Sequence, residues 1–470
     1  MAKIQVSLLI LLAFLSLRLQ AQPSQPNIII IYTDDQGYSD LGCYGAKEFA
    51  TPNIDKLAKE GVRFTSFYAA QPVCSASRAA LLTGCYPNRV GIHGALFPKS
   101  KVALDLNEVT IAEILKQKNY KTAMIGKWHL GDHPDYLPVH QGFDQYYGVP
   151  FSNDMWNKHA EIPHLFGKLP IIENDHAIDS IESDQRFLTT EYTKRAVKFI
   201  ADQKDHPFFL YLAHNMPHVP LFVSDKFKGK SKQGLYGDVI EEIDWSVGEI
   251  VKTLRQNHLD KNTLVIFTSD NGPWLSYGNQ SGLAQPLREG KGTVWEGGVR
   301  VPCIMRWPGK LKAGEVIKSP MMNLDILPTL AAITGSALPT NIIDGKNMWP
   351  FITSKVKVHP QEAYFFYYNQ NELQAIRSGK WKLYFPHQYR SLNGRPGGKD
   401  GIPAKYDINA ATLELYNLEE DVSETKNVVN LFPDVVKRLS LLADSCRTEL
   451  GDSLEGIKGR QNREAARPVW

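Results

Sequence analysis

Asn27-Ile28-Ile29-Ile30-Ile31-Tyr32 is a continuous apolar run that leads into Thr33-Asp34-Asp35-Gln36-Gly37. A strand apolar at every position, rather than at every second one, is buried on both faces, the pattern of a parallel sheet covered by helices. Three later stretches read as strands that end in the same way. Lys121–Ile125 leads into Gly126-Lys127-Trp128-His129, Pro207–Ala213 into His214-Asn215-Met216-Pro217-His218, and Thr263–Thr268 into Ser269-Asp270-Asn271-Gly272. Val299–Trp307 reads as a further strand. Segments with the helical period lie between them. Thr51-Pro52-Asn53 opens one that runs through Lys59 to Gly61, and Asn107–Lys118, Thr190–Gln203, Leu235–Leu259 and Asp325–Thr334 are others. The alternation predicts an α/β fold over residues 22–354: a large mixed, mostly parallel sheet flanked by helices.

The pattern changes after about Ser354. Glu362–Tyr368, Gln374–Phe385 and Leu413–Leu418 are aromatic-rich strands with little helix between them, and a last helix follows at about Pro433–Thr448. This predicts a smaller antiparallel-sheet subdomain over 355–450 and a charged, glycine-containing mobile tail over 451–470. Residues 130–180 lack a clean period and read as long loops over a site. At the start, Lys3, the apolar Val6–Leu17 and Leu19-Gln20-Ala21 read as a signal peptide over 1–21. The apolar run falls short of the roughly 20 residues of a spanning helix. The mature chain is therefore expected to be exported, periplasmic or secreted, with no membrane partner.

With 43% apolar and 22% charged residues in 470, the composition is that of a globular protein. A net charge of +3 gives no reason to expect nucleic acid as a partner. The five cysteines form no C-x-x-C, which removes thiolate zinc and thioredoxin-like chemistry. Their odd number leaves at least one unpaired, and Cys74 is the candidate.

Polar groups gather where the strands end, and in open α/β sheets that edge carries the pocket. Asp34, Asp35, Asp270 and Asn271 are hard oxygen ligands suited to Ca²⁺ or Mg²⁺. Taken singly, Asp-Asp is a capping turn and Asp-Asn-Gly a tight turn. Two such turns at two buried strand ends need a reason to bring like charges together, and a divalent cation is one. His129 and His218 are candidate acid and base, and Lys291 sits between glycines that allow close approach to an anion. Val73-Cys74-Ser75-Ala76-Ser77-Arg78-Ala79-Ala80-Leu81-Leu82-Thr83-Gly84 places a cysteine just ahead of a helix that Ser75 or Ser77 can cap and Gly84 stops. Cys74 then faces the unpaired amides and positive end of that helix, with Arg78 on the same face.

C-S-A-S-R followed by L-L-T-G resembles the signature C-x-[PA]-S-R-x-x-L-[LM]-T-G of the formylglycine-dependent (type I) sulfatases. D-D-Q-G-Y, G-K-W-H-L-G, M-P-H-V-P, S-D-N-G-P and G-K-G-T-V-W-E-G-G-V-R also look like motifs of that family, in its order. The D-N-G-P-W-L-S-Y-G and G-K-G-T-V-W-E-G-G block looks most like the arylsulfatase A and N-acetylgalactosamine-6-sulfatase branch. Two positions depart from the pattern: Val301 stands where Glu is frequent, and Ala76 where Pro is commoner. The resemblance implies an alkaline-phosphatase-like fold and Ca²⁺, or Mg²⁺, held by Asp34, Asp35, Asp270 and Asn271 beside Cys74. A maturation enzyme would oxidise Cys74 to formylglycine, whose hydrate is the nucleophile. Arg78, Lys127 and Lys291 would surround the sulfate. His129 would serve the second hydroxyl of the hydrate, and His218, helped by Lys291, would protonate the leaving oxygen. The implied substrate is an O-sulfate on a carbohydrate of galactose or N-acetylgalactosamine type. A broad arylsulfatase, a phosphoesterase of the same superfamily and a non-catalytic secreted glycan-binding protein are the alternatives.

Overall fold

The structure, a computed structural model, describes residues 25–470. The signal-peptide reading of residues 1–21 lies outside the described residues. Eleven strands form one sheet: β1 (Asn27–Thr33), β2 (Val62–Tyr68), β3 (Lys121–Lys127), β4 (Gln145–Val149), β5 (Leu169–Glu173), β6 (His176–Ile181), β7 (Phe208–Ala213), β8 (Thr263–Ser269), β9 (Arg300–Arg306), β10 (Glu315–Ile317) and β11 (Met321–Met322). Their order is β10-β2-β9-β8-β1-β7-β3-β4-β5-β6, with β11 also on β2. The central run β8-β1-β7-β3-β4 is parallel throughout, and β9 is antiparallel to both of its neighbours.

The uninterrupted apolar character of β1 follows from its place. Ile28, Ile30 and Tyr32 enter one core and Ile29 and Ile31 the other, all fully buried. Each such isoleucine contributes about 1.5–3 kcal/mol. The register sets the strand ends level: Tyr32 lies opposite both Ala213 and Thr268, and Ala213 opposite Gly126. Antiparallel β9 pairs its first residue, Arg300, with Tyr68 at the end of β2. The segment before β9 therefore arrives at the same edge as the four parallel strand ends.

Several strands escape a reading by apolar runs. β2 alternates, with Val62 and Phe64 inward and Arg63 and Thr65 half-buried. β4, β5 and β6 lie inside the segment expected to be loops. The last of them is a sheet edge with five of its six residues exposed, so it carries no buried-strand pattern. The expected strand Gln374–Phe385 is two strands, Glu372–Ser378 and Trp381–Tyr384, reversed at Gly379 in the left-handed region. The expected helix at Asn107–Lys118 is shorter, Ile111–Lys116, because Thr110 and Glu113 form a capping box there.

Tyr364–Tyr368, the two strands of that hairpin and Glu414–Asn417 build an antiparallel sheet on which the helix Pro433–Leu450 packs. A ribbon, His387–Ser391 with Asp407–Ala411, extends from it. Lys382 ties this unit to the large sheet, donating at 2.8 Å to both Glu296 Oε1 and Val294 O in a fully buried contact. The final segment does not stand off the body, as its charge and glycines suggest. Ala466 pairs with Ala103, and Arg463 grips the buried Glu108 through two contacts, one of 2.8 Å. A basic side chain that finds a buried acid loses the reason to remain solvated.

Gly126, at φ 113°, has no room for a side chain: a Cβ there would lie 1.8 Å from the Ala213 carbonyl oxygen. Gly126→Ala is expected to destabilise the fold by more than about 3 kcal/mol, the sum of backbone strain and overpacking. Urea unfolding followed by tryptophan fluorescence reads the loss.

Candidate active site

Each expected site residue lies at the C-terminal edge of the sheet, and all are buried. Asp34 and Asp35 follow β1, Lys127 ends β3 and His129 comes just after it, His218 follows β7, and Asp270 and Asn271 follow β8. Cys74 differs from expectation in one respect: it is the first residue of the helix Cys74–Thr83, after Val73 in extended conformation with no side-chain cap. Ser75 and Ser77 are inside the helix and do not cap it. Ser75 Oγ accepts from Leu96 N at 3.0 Å, and Ser77 Oγ meets Asn323 Nδ2 at 2.9 Å. The first-turn amides and the positive helix end thus face the site directly.

Three carboxylates and three permanent cations interlock here. Arg78 donates to Asp270 Oδ2 at 2.8 Å and to the Lys127 carbonyl at 2.9 Å, and its guanidinium is 3.6 Å from Asp34. Lys127 Nζ donates to Asp34 Oδ2 and, at 3.1 Å, to Ser152 Oγ. Lys291 Nζ lies 2.8 Å from Asp35 Oδ1 and 3.4 Å from Cys74 Sγ, which itself is 3.4 Å from Asp34 Oδ1. Burial works against ionised Asp34, but Lys127, His218, Arg78 and Lys291 outweigh it and hold the carboxyl well below the usual range. Burial lifts Asp270 to about 7, and the charge of Asp34 adds to this against Arg78 and Lys127. Burial, together with Asp34, likewise pushes the Cys74 thiol up, so it stays protonated.

Each histidine is held through one ring nitrogen by a backbone carbonyl and turns the other into the site. His129, at φ 63°, has Nε2 2.8 Å from the Leu96 carbonyl oxygen, so Nε2–H donates and the buried Nδ1 keeps its lone pair without a partner. Burial, then Lys127 and Arg78, hold its pKa well below the ordinary value. His218 Nδ1 is bonded to the Val219 carbonyl oxygen, which turns Nε2 toward Asp35 Oδ2 at 3.5 Å.

The carboxylates suit a hard divalent cation. Asp34, Asp35, Cys74 and His218 bring possible ligand atoms within 4.8 Å of one another. Asn271 adjoins them by donating Nδ2 to Asp35 Oδ1 at 2.7 Å, while its own buried Oδ1 has no partner. An orphaned amide oxygen among aspartates is a vacancy in hydrogen bonding that a cation satisfies.

Two contributors carry no sequence signal of their own: Ser152 on Lys127, and Arg390, whose Nε donates to the Lys291 carbonyl at 3.0 Å; Trp274, inside the D-N-G-P-W motif, adds its ring 4.6 Å from Lys291 Nζ. Arg390 comes from the C-terminal ribbon. A cavity of about 890 Å³ opens elsewhere, among Lys59, Arg255 and Arg306, and touches none of these groups.

The level strand ends and the charge cluster define an ester hydrolase built on the alkaline-phosphatase plan. A family profile described as Sulfatase matches residues 26–336, and a second, the C-terminal region of aryl-sulfatase, matches residues 360–464. The chain belongs to the sulfatase family and is a sulfuric ester hydrolase. It is 38% identical to arylsulfatase A of Homo sapiens over 448 residues, covering 89% of this chain and 87% of that one. N-acetylgalactosamine-6-sulfatase of Homo sapiens is 35% identical, with 95% and 87% covered. Among solved structures, Ps i-CgsB in complex with k-i-k-neocarrahexaose superposes with a TM-score of 0.76 at 30% identity, with 95% of each chain covered.

Arg78→Met leaves two buried carboxylates facing each other without their shared guanidinium. A loss of about 3–5 kcal/mol is expected, read by guanidinium-chloride unfolding. Arg78→Met/Asp270→Leu should recover part of it, because the uncompensated charge is gone.

Proposed function

We propose that this sulfatase hydrolyses O-sulfate monoesters of carbohydrates, of galactose or N-acetylgalactosamine type, through a formylglycine made from Cys74. The observation that carries the reading is the position of Cys74: the first residue of a buried helix, between Asp34 and Lys291, with the unpartnered Nδ1 of His129 and the Nε2 of His218, 3.5 Å from Asp35, in the same site. An exported chain suits this substrate, and among the described residues no helix is long and apolar enough to cross a membrane. The similarity to N-acetylgalactosamine-6-sulfatase and to a structure holding a carbohydrate supports a sugar over a simple aryl ester.

Arg78, Lys127 and Lys291 bind the sulfate oxygens and offset the repulsion an anionic ester meets at a nucleophile. Asp34, Asp35, Asp270 and Asn271 would hold Ca²⁺ or Mg²⁺, which supplies further positive charge to the sulfate oxygens. Once Cys74 is oxidised by a maturation enzyme, its hydrated aldehyde supplies one hydroxyl to attack sulfur and a second whose deprotonation releases sulfate. His129, neutral and with Nδ1 free, takes the proton of that second hydroxyl. His218 gives its Nε2 proton to the leaving sugar oxygen, while its Nδ1 bond to Val219 keeps the ring turned into the site. Lys291 stands beside it as the second donor.

Mass spectrometry of the peptide containing Cys74, from active enzyme, should show that the sulfur is lost. Fully active protein with only an intact thiol would refute the nucleophile.

A sugar alkoxide leaves poorly and needs a proton in the transition state, whereas nitrophenolate barely does. His218→Ala is therefore expected to lose on the order of 10²–10⁴-fold on a sulfated sugar and far less on nitrophenyl sulfate, measured as kcat/KM. Equal losses on both would make His218 a sulfate-binding group and pass the acid role to Lys291.

A further inference from the structure

One residue beyond His218 the chain enters a cleft that the steps above leave unused. Its volume is about 290 Å³, and Asp154, His159, Val219, Tyr277, Gln280 and Asp400 are among the residues around it. Val219 is the residue whose carbonyl holds His218 Nδ1. Trp274 joins the cleft to the site, with its ring 5.6 Å from that of His218 and 5.0 Å from that of Tyr277. The walls come from four parts of the chain: the segment after β4, the segment after β7, the turn after β8 and the C-terminal unit.

Asp154 is the unusual member. It is 8% exposed, its Oδ1 is buried with no hydrogen-bond partner, and the nearest basic side chain, His159, has Nε2 3.9 Å from Oδ2. Lys158 also borders the cleft, but its ammonium is directed over the Trp156 ring, 6.0 Å from the centroid. A buried carboxylate only accepts hydrogen bonds, so it requires donors. The hydroxyls of a sugar are donors; the ring of an aryl ester and the oxygens of a second sulfate are not. Tyr277 adds an aromatic wall for the apolar face of a sugar ring.

We propose that this cleft receives the sugar that carries the sulfate, on the leaving-group side of His218, and that Asp154 sets specificity by accepting hydrogen bonds from its free hydroxyls. The proposal rests on the carbohydrate sulfatase reading above. It makes the enzyme selective for a leaving group with unsubstituted hydroxyls at the positions that meet Asp154.

The test compares wild type, Asp154→Asn and Asp154→Ala on a panel of galactose and N-acetylgalactosamine O-sulfates and on nitrophenyl sulfate. Binding of the same sugar sulfates to the corresponding Cys74→Ser proteins is followed by calorimetry. Loss of a charge-assisted hydrogen bond is expected to lower kcat/KM on the preferred sugar sulfate by about 10–100-fold, with a matching loss of binding and less than about threefold loss on nitrophenyl sulfate. Asp154→Asn keeps the side-chain volume and carries the comparison if Asp154→Ala unfolds. Equal losses on sugar and aryl esters, or undiminished sugar turnover, would overturn the proposal. A wild type that hydrolyses nitrophenyl sulfate but neither hydrolyses nor binds any sugar sulfate overturns it too, along with the carbohydrate reading. A wild type without activity on any sulfate ester removes the formylglycine mechanism, and the subsite falls with it.

Discussion

Asp34 is fully buried at the end of a central strand, and a carboxylate in that position persists only because cations are brought to it. Lys127 meets it directly and Arg78 stands beside it while bonded to Asp270. The third cation, Lys291, answers Asp35. Few other arrangements of three buried acids are tolerable, since an unpaired buried charge costs several kcal/mol. The same balance that stabilises the cluster prepares it for an anionic ester, because the cations are fixed before any substrate arrives.

The sheet exists in a form that makes this balance possible. Parallel strands in register end together, so groups separated by more than two hundred residues come within bonding distance. Reversal of β9 delivers Lys291 to that edge, and the C-terminal unit then secures it from behind through Arg390 on its carbonyl and Lys382 on Glu296. Leu96 does a similar service on the other side. Its N–H bonds Ser75 in the cysteine-bearing helix and its carbonyl orients His129. Both histidines owe the nitrogen they present to a backbone carbonyl that engages the other one.

Much of this was legible in residue order. Four strands, each ending in charged or imidazole groups, located the parallel core, and the turns at Asp34-Asp35 and Asp270-Asn271 pointed to the buried carboxylates that gather at the sheet edge. The resemblance around Cys74 and Arg78 pointed to the sulfatase family, to which the chain belongs. What stayed hidden has physical reasons. β2 alternates over its first four residues and β6 is exposed at five of its six, so neither shows a continuous apolar run. Ser152 and Arg390 have ordinary neighbours in sequence and act only through partners far along the chain. Ser75 and Ser77 looked like caps because their types suit caps, yet the core around α-helical residues 74–83 found other partners for both hydroxyls.

The sequence by itself determined the class of fold, the identity of the charged groups and the cysteine at a helix start, because burial on two faces and local backbone preference are written residue by residue. Only the tertiary structure decided which nitrogen each histidine offers, which acid each cation answers, and that Asp154 Oδ1 lies unpartnered at the cleft just beyond His218. Those are distances between segments that meet through sheet register and the packing of the C-terminal unit, and hydrogen-bond partnership depends on a few tenths of an ångström that no local pattern encodes.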